Sequence, residues 1–163
     1  DDLTGLYNRR GLTLHLQESR SVGMPDTMGL ILIDCDRFKQ VNDDHGHLVG
    51  DRVLQSVANI LRSVAGPEDI ACRLGGDEFC LLVAASTRQD VMRFADFIVS
   101  TVHGLLLIPQ SPPTICPVSV GACLVSAKHE WNDWYAHADG ALYQAKRLGG
   151  NRVHWQDAEL TSA

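Results

Sequence analysis

The 163-residue chain lacks an excess of basic charge: 14 Lys and Arg stand against 20 Asp and Glu, a formal net charge of −6. A general binder of nucleic-acid polymers normally presents a basic face, so that class is not expected. A nucleotide substrate stays open, because a site that holds a polyphosphate through a divalent cation needs carboxylates. No apolar run approaches the ~20 residues of a membrane span, and no signal-peptide pattern opens the chain. A membrane would be reached only through a segment N-terminal to this sequence. None of the five cysteines forms a CxxC pair, and most lie in apolar runs. They read as small buried hydrophobes in a reducing compartment, hence the cytoplasm. Repeats and low-complexity stretches are also missing. With 45% hydrophobic and 21% charged residues, what remains is a globular composition with one core and one domain. The start at Asp1-Asp2-Leu3-Thr4 falls inside what reads as a structured motif, so a longer protein with an N-terminal regulatory region is expected.

Apolar periodicity alternates between the two regular types. A helix is predicted from about Asn8 to Ser21, and a strand buried on both faces over Met28–Ile33. Leu54, Val57, Ala58 and Leu61 recur at helical spacing within Leu48–Ala65, and Gly66-Pro67 ends that helix. The runs Ile70–Leu74 and Phe79–Ala84 flank Gly75-Gly76-Asp77-Glu78 and read as a β-hairpin. Val91, Phe94, Ala95, Ile98 and Val102 mark a helix; a loop with Pro109, Pro112 and Pro113 follows, then a strand near Val118–Val125. A last helix carries Trp134, Ala138, Ala141, Leu142 and Ala145, and Val153–Trp155 reads as an edge strand. The alternation, interrupted by a hairpin, implies an α/β sandwich (α+β in the looser sense). It would have a mixed central sheet, an antiparallel pair at its centre and helices on both faces. The domain is placed at residues 1–155, with 156–163 as a C-terminal tail.

Two acidic pairs stand out. Asp34-Cys35-Asp36 ends the buried strand, and its two acids are expected to diverge to opposite sides. Carboxylates there are costly unless paired or bound to a cation. Asp36 is equally readable as the cap of a following helix, which leaves Asp34 the stronger metal candidate. Asp77-Glu78 sits at the hairpin tip directly after two glycines, which let a phosphate approach the backbone while the acids hold its magnesium. If the hairpin lies beside the first strand, Asp34 and Asp77 meet across it as a two-carboxylate clamp for phosphoryl transfer. Asp51, on the core stripe of its helix, either complements the helix dipole or accepts the N1–H and N2–H₂ donors of a guanine. The Asn42 amide offers a donor and an acceptor for the rest of such a base.

Five segments together resemble the GGDEF family in order and spacing over nearly the whole chain. They are Asp2-Leu3-Thr4-Gly5-Leu6-Tyr7-Asn8-Arg9-Arg10; Asp34-Cys35-Asp36-Arg37-Phe38-Lys39 with Asn42-Asp43; Gly46-His47-Leu48-Val49-Gly50-Asp51; Arg73-Leu74-Gly75-Gly76-Asp77-Glu78-Phe79; and Ala138-Asp139-Gly140-Ala141-Leu142-Tyr143-Gln144-Ala145-Lys146. The resemblance implies a fold like the nucleotidyl cyclases and the polymerase palm. It also implies a bacterial signalling activity, diguanylate cyclase: two GTP condense to cyclic di-GMP with loss of two pyrophosphates, across a homodimer. Carried over, Asp34, Asp77 and the main-chain carbonyl of Cys35 would bind Mg²⁺ (or Mn²⁺). Asn42 and Asp51 would read guanine, His47 would line the nucleotide site, and Lys39 and Lys146 would contact phosphates near Gly75 and Gly76. Asp77, helped by Glu78, would take the proton of the attacking hydroxyl.

Two departures bear on this. The family's Arg-x-x-Asp inhibitory site is here Gly66-Pro67-Glu68-Asp69, so Asp69 remains without its arginine. The last motif usually continues Gly-Arg-Asn and here reads Gly149-Gly150-Asn151, leaving Arg147 or Arg152 as substitutes. The alternative to an active cyclase is a non-catalytic GGDEF domain that binds GTP or cyclic di-GMP as a signalling module. A purely structural dimerisation module would not gather so many polar residues around one strand end.

Overall fold

The computed structural model describes residues 1–105, 107, 108 and 114–157. In chain order the elements are β1 (Tyr7–Asn8), α1 (Arg9–Val22), β2 (Thr27–Cys35), α2 (Phe38–His45), α3 (His47–Val64), β3 (Ile70–Gly75) and β4 (Glu78–Val83). They continue with α4 (Arg88–Leu105), β5 (Leu107–Ile108), β6 (Thr114–Ile115), β7 (Val118–Ser126), α5 (Trp131–Arg147) and β8 (Val153–Gln156). Six strands form one sheet in the order β1-β3-β4-β2-β7-β8, and β5 and β6 make a separate pair. The centre, β3-β4-β2-β7, is antiparallel, while β1 joins β3 and β8 joins β7 in parallel. This is the mixed α/β sandwich that the alternating periodicity implies.

The continuous apolar character of β2 follows from its place. It pairs with β4 on one side and β7 on the other, and every residue from Met28 to Cys35 is buried. Leu30 and Leu32 pack with Leu12 and Leu16 of α1 and with Trp134, Ala138 and Leu142 of α5. Ile31, Ile33 and Cys35 face the other layer, where Val53, Val57 and Leu61 of α3 and Val91, Ala95 and Ile98 of α4 lie. Residues two apart share a face, so each layer receives every second side chain.

Local signals set the helix ends. Asn8 starts α1 by accepting from the Gly11 N–H (2.8 Å), and Gly23, at φ 98°, ends it. At α5, Glu130 and Asp133 form a capping box. Helix α2 is the helix that periodicity does not mark, since Val41 is its one buried residue, and the two-residue strands β1, β5 and β6 are too short to show a period. The proline-rich segment 109–113 lies outside the described residues. The expected tail over 156–163 starts on the last residue of β8, which pairs with Cys123, and 158–163 lie outside the described residues.

Candidate functional site

The end of β2 gathers the acids. Asp34, 8% exposed, stands in register with Glu78 on β4 and Ser119 on β7. Asp77 lies one step beyond, in the turn, where its carbonyl accepts from the Cys35 N–H at 3.3 Å. Glu78 is thus the residue directly opposite Asp34, with Asp77 beside it. Lys146 reaches across from the last turn of α5 and puts its Nζ 2.8 Å from Asp34 Oδ1. Burial pushes the Asp34 carboxyl above its usual range; Lys146 pulls it back by hydrogen bond and charge, and Asp77 and Glu78 push it further up. A residue expected at the phosphates therefore stands on the expected metal ligand. Its spacing from Ala138 and Leu142, at intervals of four, is the signal that it faces the sheet.

The hairpin tip is held by its own backbone. Gly75 and Gly76 both have positive φ, 150° and 53°, which favours glycine. The Gly76 carbonyl accepts from Arg73 Nε (2.9 Å) and Nη2 (2.7 Å), and Asp1 anchors the same guanidinium at 3.2 Å. Asp77 and Glu78 consequently project from a fixed turn.

Asp36 corrects two expectations. Its carboxylate shares the α5 side with Asp34 and does not diverge from it: it meets Ser119, the register partner of Asp34, and Asn151, which follows α5. Nor does it cap α2: the N-cap is Arg37, at φ 57°, with no side-chain cap. Its Oδ1 instead accepts from Ser119 Oγ (2.6 Å), and its Oδ2 from the Asn151 N–H (2.8 Å). Asp36 so ties β2, β7 and the turn before β8 together. The non-glycine residues of positive φ among those described, Arg37 and Asn151, both adjoin this knot. Ser119, fully buried, escaped the sequence reading; a hydroxyl inside an apolar strand was its signal.

A second group forms where α2 meets α3. Asn42 lies on α2, His47 opens α3, and Asp51 follows one turn later, beyond the first turn that the dipole argument requires. Lys39 and His47 are exposed, while Asn42 and Asp51 are half-buried. Asn42 Oδ1 is itself buried and has no hydrogen-bond partner among the described residues. The Cys35 thiol faces away from the site, buried against Cys116, whose hydrogen bond and burial together push it well up.

The oxygen-only donors Asp34 and Asp77 suit a hard divalent cation, and the ammonium on Asp34 shows that this carboxylate draws positive charge. Among the described residues no three His, Cys, Asp or Glu side chains converge on one point. An ion there would complete its shell with main-chain, phosphate and water oxygens, as Mg²⁺ commonly does.

At Gly66-Pro67-Glu68-Asp69, where a degenerate inhibitory site is expected, both Asp69 oxygens are engaged: Oδ2 accepts from the Gly66 N–H and Oδ1 from the Ala84 N–H, each at 2.8 Å. They wall a cavity of about 540 Å³ with Gly5, Tyr7 and Arg62, whose Nη2 donates to the Thr4 carbonyl at 2.6 Å. Of the arginines offered as substitutes at Gly150, Arg147 lies 5.8 Å over the Tyr143 ring and Arg152 Nε donates to the Gly150 carbonyl at 3.1 Å.

Comparison with known proteins adds an independent line. The chain is 34% identical over 163 residues to the diguanylate cyclase DosC of Escherichia coli (strain K12), covering 98% of this chain and 35% of that protein. It is 33% identical to the diguanylate cyclase VdcA of Vibrio cholerae, covering 94% of this chain and 45% of the relative. The chain thus spans less than half the length of either. Among solved structures, the GGDEF domain of DgcB from Caulobacter crescentus in complex with c-di-GMP superposes with a TM-score of 0.84 at 32% identity, covering 95% of this chain and 94% of that one. Diguanylate cyclase SiaD of Pseudomonas aeruginosa, in complex with its activator SiaC, gives 0.84 at 34% identity, covering 97% and 61%. The family profile described as "Diguanylate cyclase, GGDEF domain" matches residues 1–152, and the chain belongs to the GGDEF family.

Proposed function

We propose that the chain is a diguanylate cyclase domain that condenses two GTP into cyclic di-GMP, each of two facing copies holding one nucleotide. The observation that carries this reading is the acidic corner: buried Asp34 facing Glu78, with Asp77 on an intact Gly-Gly-Asp-Glu-Phe turn. Asp34, Asp77 and the Cys35 carbonyl would hold Mg²⁺ or Mn²⁺, which when bound would offset the phosphate charge at the reacting centre. Asn42 and Asp51 would read the guanine edge, with His47 along the nucleotide, and Lys39 would meet phosphate. Lys146 would do likewise once it leaves Asp34. Each ribose 3′-oxygen forms a bond to the partner nucleotide's α-phosphorus as the bond to pyrophosphate breaks. The hydroxyl proton passes to Asp77 or Glu78. GTP and cyclic di-GMP are the small-molecule partners, and the cytoplasm, where GTP is held, is the compartment.

The test is direct. Incubation with GTP and Mg²⁺ should yield cyclic di-GMP and pyrophosphate, and Asp34→Ala or Asp77→Ala should abolish turnover while the fold persists. Near-normal activity in either variant would remove this chemistry. A second reading, a non-catalytic module that binds GTP or cyclic di-GMP, draws on the absent arginine at Gly150 and the engagement of Arg147 and Arg152 elsewhere. Nucleotide binding without product from the parent chain would favour it.

A further inference from the structure

Gly50 is a buried residue in the first turn of α3, on the side that meets α2. Its φ is not positive, so backbone conformation does not call for glycine. Glycine in a helix is unfavourable relative to alanine, and a close approach is the remaining physical reason for it. That approach is the Asn42 side chain. A Cβ at position 50 would overlap Asn42 Oδ1 and lie 3.0 Å from Asn42 Cγ and 3.1 Å from Phe38 Cζ. Among the described residues the same Oδ1 is a buried acceptor without a partner. Buried acceptors are almost always paired, so an unpaired one seated in a slot shaped for it calls for a donor from outside the chain.

Resting on the reading of Asn42 and Asp51 as the guanine contacts, we infer that Gly50 is a positioning residue for base recognition. Its missing side chain, one residue before Asp51 in the chain, is the space in which the Asn42 amide lies. Asp51 takes N1–H and one hydrogen of the guanine 2-amino group. The second hydrogen of that amine is the donor the Asn42 carbonyl lacks. Any side chain at 50 displaces the amide, and the 2-amino group loses its second acceptor while Asp51 still holds N1–H. Gly50 therefore tunes the preference for guanine over hypoxanthine, which differs by that amine alone.

Equilibrium binding of the α,β-methylene analogues of GTP and ITP to the 163-residue chain tests this without turnover. Gly50→Ala should weaken the GTP analogue about tenfold, the worth of one good hydrogen bond, and the ITP analogue by less than about twofold. Asn42→Ala should do the same, and Gly50→Ala added to Asn42→Ala should cost nothing further, because the displaced group is already gone. Equal losses for both analogues, or a second full loss in the double variant, would overturn the inference and reduce Gly50 to a packing residue against Phe38. Should Gly50→Ala not fold, the double variant, which lacks the overlapping amide, must fold and bind as Asn42→Ala does; its failure to fold would also overturn it. An Asn42→Ala chain that binds the GTP analogue like the parent would instead remove the guanine reading itself.

Discussion

At Asp34, burial with the charges of Asp77 and Glu78 outweighs the Lys146 ammonium, so the folded-state pKa stands above the unfolded value of 3.8. A carboxyl raised in this way contributes stability below the unfolded value and loses it as pH climbs through the folded one. Asp34→Asn should therefore be more resistant to urea than the parent at neutral pH, the gap closing below 3.8; a less resistant variant would mean that the Lys146 pair dominates. Gly150 is constrained twice, by φ +73° and by an Asp36 Oδ2 that would lie 2.8 Å from any Cβ. Gly150→Arg should lower stability by about 1–3 kcal/mol without tightening GTP binding, because strain of that order follows a side chain forced into the left-handed region. Thermal unfolding with a GTP titration checks both halves. Asp69 holds two backbone N–H groups, so Asp69→Ala should cost about 1–2 kcal/mol and is a poor probe of product binding. Gly66→Arg is the cleaner probe, and in the parent cyclic di-GMP should compete weakly with GTP rather than inhibit non-competitively.

The elements that periodicity made legible are those buried along a stripe or a face. Helices α3, α4 and α5 and strands β2 and β7 follow from apolar spacing. The strand read as Met28–Ile33 continues to Cys35 because Asp34, though polar, still pairs with Glu78 and Ser119. Helix α2 gave no such stripe, and the bridges through Asp36 and Lys146 join residues too far apart in sequence for spacing to relate them. Of the site, the acid pairs and Asn42 with Asp51 were legible as residue types in an order. What Asp36 and Lys146 touch was not, because that depends on how α5 lies on β2 and β7. Ser119→Ala should test this joint by removing the hydroxyl from Asp36, lowering stability by about 1 kcal/mol and slowing turnover with no change in base preference. An unchanged rate would show that the knot is structural alone. The cysteines lie in the same layers, all five buried, with burial pushing the Cys123 thiol up to about 12. A thiol reagent at neutral pH should modify none of them in the folded chain and all five after denaturation.

For the whole molecule, the described residues contain no helix long and apolar enough to cross a membrane. On the proposed chemistry each copy supplies half of the reacting atoms. Turnover per copy should then rise with protein concentration, and fusion to a strong dimerising segment should raise it further by effective concentration. Specific activity that stays flat across a wide dilution series would count against a two-copy reaction. The central place of β2 has a consequence for the making of the protein. A ribosome releases residues 27–35 ahead of both neighbouring strands; the hairpin strand β4 can cover one edge soon afterwards, but the other edge waits for Val118–Ser126. Until then β2, buried from Met28 to Cys35 in the finished sheet, stands open along one edge, an invitation to pair with another nascent chain. A chain cut before residue 118 should therefore self-associate where the whole domain does not, which sedimentation of the two would show.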